Sequence, residues 1–405
     1  LLFCSSTDAR QAATSGVLLL LKTFRISTSR SVSQLSQTQG SGSLSQVAVD
    51  VHRGGQMSNE ALCLELLGVL RRCFMQSPEV KMVFYSGVIE VVNRNPELCE
   101  GVLEVAYTHL LYLWGPEGGS RQRWQLNLDK IGREANDSWE LEEPVGWFLN
   151  CLQQIASKTQ QVTEGDNEIL DKVTKLLNEM VEKYGNCEPG ELGFDETDNF
   201  DKKSVPGERK VLQLEQLKGL LESLMEYIFC HGADYDVDKA DHLLGLFKTF
   251  NSLTNVMAAS LQRQRAKKGE RGKKVDKKDT THDASGESSK SAGKYSPPQH
   301  CFSLKFVSIS LRALLMDSAP SHQEPLDKLR NSEQFVHFVL DSLAAKLRQV
   351  NSMLSVNGDE GVQTDSDFKF LINILNTLFF HAIRSENPLH EAQRKVTLIL
   401  VDCLQ

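Results

Sequence analysis

The sequence predicts an all-α protein: antiparallel helix pairs stacked as a solenoid, with disordered loops between them. Three observations predict it. Apolar residues recur at helical spacing in long stripes. Prolines preceded by polar capping residues mark several helix starts. No alternation of strand, turn and helix runs through the chain. Composition agrees, since 40% of the 405 residues are hydrophobic but only 7% are aromatic, and Leu is abundant. Length allows two or three domains or one long repeat array, with a sizeable core.

Residues 1–27 read as the end of an upstream helical segment. Their longest apolar run, Val17 to Leu21, is far too short to span a bilayer. No signal peptide opens the chain, and no membrane is expected as a partner. The sequence starts at Leu1 and stops inside the apolar run Val396–Leu404, so it is expected to be an internal piece of a longer protein. Residues 28–57 form a linker rich in Ser, Gln and Gly. Its short alternating piece, Val47 to Val51, is expected to be extended rather than part of a sheet.

Residues 58–262 read as a helical solenoid segment. Cys63, Leu66, Leu67, Leu70 and Phe74 share one face, as do Leu214, Leu217, Leu221, Leu224 and Ile228. Ser77-Pro78-Glu79 and Asn95-Pro96-Glu97 place a capping side chain before a proline at the first helical position, where its missing N–H costs nothing. Glu143-Pro144 is a weaker start of the same kind. Within this segment the stretch 186–207 holds six acids between Glu188 and Asp201 and is expected to be a mobile acidic loop. Residues 263–300 are basic, then Ser/Gly-rich, and are expected to be disordered because little apolar surface offsets the ordering entropy. Residues 301–405 resume the solenoid, with starts at Glu324-Pro325 and Asn387-Pro388. Their stripe is Val336, Val339, Leu340, Leu343, Leu347 and Val350. About a dozen helices would account for the ordered chain. No strict sequence period exists, so the repeat is structural and degenerate.

Charge and cysteine usage narrow the function. The net charge is −8, yet nine Lys/Arg and two acids between Arg263 and Lys278 make a local +7, leaving −15 on the remainder. An acidic body with one basic segment is not a uniformly basic nucleic-acid coat. Nine scattered Cys without a C-x-x-C read as reduced thiols in a cytosolic or nuclear protein, and the nucleus is the expected location. The sequon Asn136-Asp137-Ser138 stands alone. Phosphate-binding loops, dinucleotide fingerprints, nucleophile elbows and H-E-x-x-H are absent. His390-Glu391 is followed by Arg394 rather than the second histidine a metal pair needs. The ten His lie away from ligand spacing, and His109 and His337 are expected to be hydrogen-bonded helix residues. The chain is therefore not expected to be an enzyme, and no cofactor or metal is assigned.

Two segments carry functional signals. Ser33-Gln34, Ser36-Gln37, Thr38-Gln39 and Ser45-Gln46 put four Ser/Thr-Gln pairs in fourteen residues. Such pairs suit damage-signalling kinases, which favour Gln after the target hydroxyl; a Ser/Gln-rich linker also yields them by composition, so the cluster alone leaves both readings open. Each phosphate would add about −1.5 to −2 charges. The basic run is Arg263, Arg265, Lys267, Lys268, Arg271, Lys273, Lys274, Lys277 and Lys278. It reads as a nuclear-import signal, a phosphate-contacting arm or a solubilising loop. Arg71, Arg72, Lys81 and Arg94 are candidates for a basic groove on successive helices, against a plain solvated face for each.

Val17–Lys22 leading into Ser33–Gln37, Leu44–His52, Asn59–Arg72, Leu304–Ser308 and Ser321–Glu324 follow one another along almost the whole chain. In that order they resemble the Fanconi anaemia group I family. The resemblance implies an α-α superhelical solenoid that pairs with its paralogue, the Fanconi group D2 protein. It implies a clamp on duplex or branched DNA in interstrand crosslink repair. It also implies phosphorylation by a damage-signalling Ser/Thr-Gln kinase and monoubiquitination by a ubiquitin ligation machinery. By motif, the phosphoacceptors carry over to Ser33, Ser36 and Ser45; Thr38 lies in a small insertion and stands only on its Gln. The ubiquitin-acceptor lysine matches none here: it would lie before Leu1, and Lys22 belongs to another part of the pattern. The 263–300 stretch is longer and more basic than the family pattern. The alternative is a helical-repeat adaptor, phosphorylated by a damage kinase, that never touches DNA.

Overall fold

A computed structural model describes residues 4–23, 65, 67–116, 124–163, 165–230, 237–272, 300–315, 323–356, 370, 372–374, 376 and 377. The helices are α1 (Thr7–Thr23), α2 (67–73), α3 (Pro78–Arg94), α4 (Cys99–Leu113), α5 (Val145–Val162), α6 (Glu168–Tyr184), α7 (Val205–Cys230), α8 (Val237–Gly272), α9 (Leu304–Leu315), α10 (Gln323–Arg330) and α11 (Glu333–Val356). The stripes read from the sequence are the faces they bury. Leu67, Leu70 and Phe74 are buried, as are all five of the α7 stripe and Val339, Leu340, Leu343 and Leu347 of α11; Val336 is partly buried against the same core. Cys63, Leu66 and the side chain of Val350 lie outside the described residues.

The helices form two layers. One layer runs α1, α3, α5, α7, α9, α11, each packed on the next, and the other runs α4, α6, α8, α10. Successive helices of the first layer point the same way. Gln11 Nε2 bonds the Glu79 carbonyl near one end of the α1–α3 pair, and Lys22 pairs with Glu90 near the other. Val145 N–H meets Gln216 on α7, and Asn150 meets Glu226 ten residues further along it. Phe229 of α7 contacts Phe306 of α9 edge-on. Each connection reverses direction between layers, so sequential helices are antiparallel and alternate helices are parallel. That is the ladder of an α-α solenoid.

The prolines mark helix starts as expected, but the expected caps are absent: the Ser77 side chain makes no cap bond, and Asn95 Nδ2 donates to the Leu21 carbonyl instead. Asn387-Pro388 lies outside the described residues. α3 begins at Pro78, and Asn95-Pro96 opens a 3-10 turn, Pro96–Leu98, that leads into α4. α6 is capped by Asn167, whose Oδ1 accepts from Leu170 N–H at 3.0 Å. Glu143, however, caps nothing with its side chain; it turns inward. α5 and α7 approach closely at Gly146 and Gly219. A Cβ on Gly146 would sit 2.7 Å from the Gly219 backbone, so glycine permits this crossing.

Three features depart from the sequence reading. Two small antiparallel hairpins sit between α4 and α5: β1 (Trp114–Pro116) with β2 (Trp124–Leu126), and β3 (Gly132–Ala135) with β4 (Ser138–Leu141). The second turns through Asn136 and Asp137, with φ of 51° and 57°. Short polar side chains tolerate that left-handed conformation and suit a two-residue hairpin loop.

The acidic stretch 186–207 is built, not loose. A capping box between Glu188 and Glu191 frames the 3-10 turn Pro189–Leu192, and Gly193 at φ 79° ends it. Phe194 and Phe200 then anchor it, each at most 2% exposed and stacked on each other. Two aromatics supply the apolar burial that the composition hides, and side-chain bonds within 195–204 satisfy its turns. Finally, the basic run does not begin as a disordered loop. The α8 backbone stays helical through Gly272, so Arg263, Arg265, Lys267, Lys268 and Arg271 stand on a helix.

Candidate functional site

Two constellations stand out, one buried and one on the surface. The buried one joins α3, α4 and the start of α5. Glu143 is 1% exposed, Lys81 6% and His109 8%. Glu143 Oε1 accepts from Tyr85 Oη–H at 2.6 Å; Oε2 accepts from Lys81 Nζ at 2.7 Å and meets His109 Nε2 at 2.8 Å. An ionised carboxylate can only accept, so Nε2 is the nitrogen that carries the proton. Lys81 also donates to the Glu142 carbonyl at 2.8 Å. Burial pushes the Glu143 carboxyl up, but the Lys81 charge and the His109 contact outweigh it, and the net shift is below the ordinary value. Tyr85 is driven well above its ordinary value by burial and by Glu143.

Lys81, His109 and Glu143 form the floor of a groove of about 700 Å³, whose rim carries Arg10, Lys130, Arg133, Glu140, Lys202 and Glu215. The rim charges largely compensate one another. Arg133 pairs with Glu140 and Glu142, Lys202 pairs with Glu215, and Lys130 lies over the Tyr112 ring while bonding its carbonyl. With its carboxylate saturated by three donors, the floor is a lock between three helices rather than an acid or base poised for chemistry. The buried thiols are equally inert: burial raises Cys73 and Cys99 to about 11. Among the described residues no group of three His, Cys, Asp or Glu could hold a metal, and no helix is long and apolar enough to cross a membrane.

The second constellation lies where the acidic stretch meets α8. Asn186 N–H bonds the Gly245 carbonyl, Thr249 Oγ–H bonds the Tyr184 carbonyl, and Ser260 Oγ–H bonds the Asp198 carbonyl at 2.8 Å. Arg263 grips Glu196 twice, Nη1 to its carbonyl at 3.0 Å and Nη2 to its carboxylate. On the far side of the basic segment the chain returns to α7. Glu222 Oε2 accepts from Cys301 N–H at 3.0 Å, and Oε1 meets His300 Nδ1 at 2.7 Å. Glu226 accepts from Ser303 N–H at 2.9 Å, Ser303 Oγ–H at 2.6 Å and Asn150 Nδ2 at 2.8 Å. Burial raises the Glu226 carboxyl, against the pull of those donors. The segment between Arg263 and His300 is thus held at both ends by carboxylates.

The residues singled out from sequence distribute as follows. Ser33, Ser36, Thr38 and Ser45 lie outside the described residues, as do Lys273, Lys274, Lys277 and Lys278. Thr159-Gln160 repeats the kinase pattern, but Thr159 is fully buried in α5 and donates to the Ile155 carbonyl, so it is no kinase substrate in the folded chain. Lys81 is corrected: it is neutralised in the core and cannot face DNA. Arg71, Arg72 and Arg94 are exposed, but the first two precede α3 and the last ends it. The seventeen residues of that helix separate them by about 25 Å at 1.5 Å per residue, so they form no single patch. His109 sits buried and hydrogen-bonded in α4; His337, on α11, faces Glu333. Sequence reasoning missed Glu143, Glu222 and Glu226, whose partners are 34 to 79 residues away.

A two-layered helical solenoid with carboxylate-tethered connections defines a class of helical-repeat protein. The family profiles are specific. FANCI helical domain 2 matches residues 34–258, and FANCI solenoid 3 matches residues 301–405. The chain belongs to the Fanconi anaemia group I family. It is 29% identical to the Fanconi anemia group I protein of Gallus gallus over 97% of its own length, and 27% identical to the homolog of Mus musculus over all of it. It spans 28% and 29% of the length of those two relatives. The two family domains meet across the α7–α9 seam, and the basic run lies between them.

Proposed function

We propose that this chain is a non-catalytic scaffold segment of a nuclear Fanconi anaemia complex in interstrand crosslink repair, which clamps duplex or branched DNA together with the paralogous Fanconi group D2 protein. The observation that carries the reading is the tandem of family domains on one continuous solenoid. A damage-signalling kinase phosphorylates Ser33, Ser36 and Ser45, with Thr38 as a further acceptor. Lys22 is not the monoubiquitination acceptor in this reading, since its ammonium is paired with Glu90. The Ser/Thr-Gln spacing supports the kinase part.

The test is a kinase reaction on the whole chain, read by mass spectrometry. Phosphate is expected at Ser33, Ser36 and Ser45 and not at Thr159; label confined to other residues overturns the regulatory part. Duplex binding followed across salt tests the clamp part, since phosphate contacts weaken steeply as salt rises. The adaptor reading draws on the placement of Lys81 in the core and the self-compensated groove rim, and absence of duplex binding at low salt would favour it.

A further inference from the structure

The acidic stretch and the basic run were two unrelated charge blocks in the sequence. In the fold they touch. The stretch around Asp195–Asp198 lies beside the helix that carries the run, and Arg263, the first basic residue, is bound there. Its two terminal nitrogens are both committed to Glu196, one to the carbonyl and one to the carboxylate. These are the two donors with which a guanidinium grips a phosphate. Arg263 and Glu196 are each about half exposed, so the contact is open to a competing anion from solvent. Glu196 is fixed in place by its surroundings: Phe194 and Phe200 are buried on either side, Ser260 holds the Asp198 carbonyl, and Lys210 pairs with Asp198 at 3.0 Å. Beyond Arg263 the helix continues to Gly272, placing Lys267 and Arg271 one and two turns further along.

The two ends of the basic segment are held differently. At the Ser303 end the carboxylates of Glu222 and Glu226 are 2% exposed and bind backbone N–H groups, contacts that salt screens far less. At the Arg263 end the contact is a surface ion pair, which salt and competing anions do weaken. Only the Arg263 end is releasable.

We propose that Glu196 is an autoinhibitory clasp: it occupies Arg263 in cis, and a DNA phosphate must displace it before the root of the basic run contributes to binding. The inference rests on the phosphate-contacting reading of that run. Removing the Glu196 charge frees one phosphate contact, which steepens the dependence of log K on log salt by about 0.9. At 50 mM salt that corresponds to roughly tenfold tighter binding.

The experiment is fluorescence anisotropy of a labelled duplex with the whole chain at several salt concentrations. Four variants are compared with the parent: Glu196→Gln, Arg263→Gln, the double variant, and Glu100→Gln, which removes an exposed charge on α4 as a control for net charge. Glu196→Gln is expected to bind tighter with the steeper slope. The double variant should lose that gain, Arg263→Gln alone should match the parent, and Glu100→Gln should leave the slope unchanged. Equal effects of Glu196→Gln and Glu100→Gln overturn the clasp, as does weaker binding by Arg263→Gln alone, which would show the arginine already in use. Absence of duplex binding by every variant at low salt removes the phosphate-contacting reading and the clasp together.

Discussion

Replacing Glu143 by Gln removes one charge from the core without changing its volume. The carboxylate accepts three hydrogen bonds at 2.6, 2.7 and 2.8 Å. A glutamine oxygen can serve one side, but its amide then faces a donor on the other. More important, Lys81 is left at 6% exposure without an opposing charge. Breaking one partner of a buried pair costs about 3–5 kcal/mol. Urea unfolding followed by tryptophan fluorescence should show a loss of that size for Glu143→Gln. Lys81→Met on top of it removes the stranded amino group and should recover most of the loss, leaving a coupling well above 1 kcal/mol. The effect has a defined pH window. Because the folded carboxyl lies below its ordinary value, the pair stabilises fully above that value and loses its contribution as pH falls through the folded pKa. The gap between parent and variant should therefore close in acid. A loss under about 1 kcal/mol at neutral pH, or a double variant no more stable than the single, would refute the lock.

Glu226 is the opposite case, a buried carboxylate whose desolvation outweighs its hydrogen-bond donors and the pull of Lys346. Glu226→Gln keeps an oxygen for Ser303 N–H and Asn150 and an amide for Ser303 Oγ, so stability at pH 8 should change by less than about 1 kcal/mol or rise. Its folded pKa is raised, so in the parent stability is full below the ordinary carboxylate value and falls as pH rises toward the folded one; the variant's urea midpoint should be flatter across that range. Gly146→Ala should destabilise by about 1–3 kcal/mol despite better helix propensity, because the new methyl meets the Gly219 backbone, and thermal unfolding reads it. Asn167→Ala should cost about 1 kcal/mol through loss of the α6 cap, measured the same way.

The helices were legible because burial writes itself locally: Leu214, Leu217, Leu221, Leu224 and Ile228 need only helical periodicity to be seen. Pro78 and Pro96 marked their starts for the same reason. The hairpins were not, since strands of three or four residues carry too little pattern, although Asn136-Asp137 was a usable turn signal. The order in 186–207 was hidden because acids dominate its composition while two phenylalanines do the anchoring. The buried carboxylates were invisible for a geometric reason. Glu143 meets Lys81 across 62 residues and Glu222 meets Cys301 across 79, and nothing in a linear pattern marks which acids turn inward. Conversely, Lys81 looked like a surface cation until its neighbours were known.

The carboxylates at the two ends of the 263–300 stretch separate the fold from the sequence of what lies between them. Glu222 and Glu226 set where Cys301 and Ser303 join α7, and so seat the second family domain against the first, whatever path the intervening chain takes. Substitutions between Gly272 and His300 leave these carboxylates and their partners untouched, and so are expected to keep the second family domain seated on α7. That stretch is a place in this solenoid where new sequence can be tried at low risk to the rest.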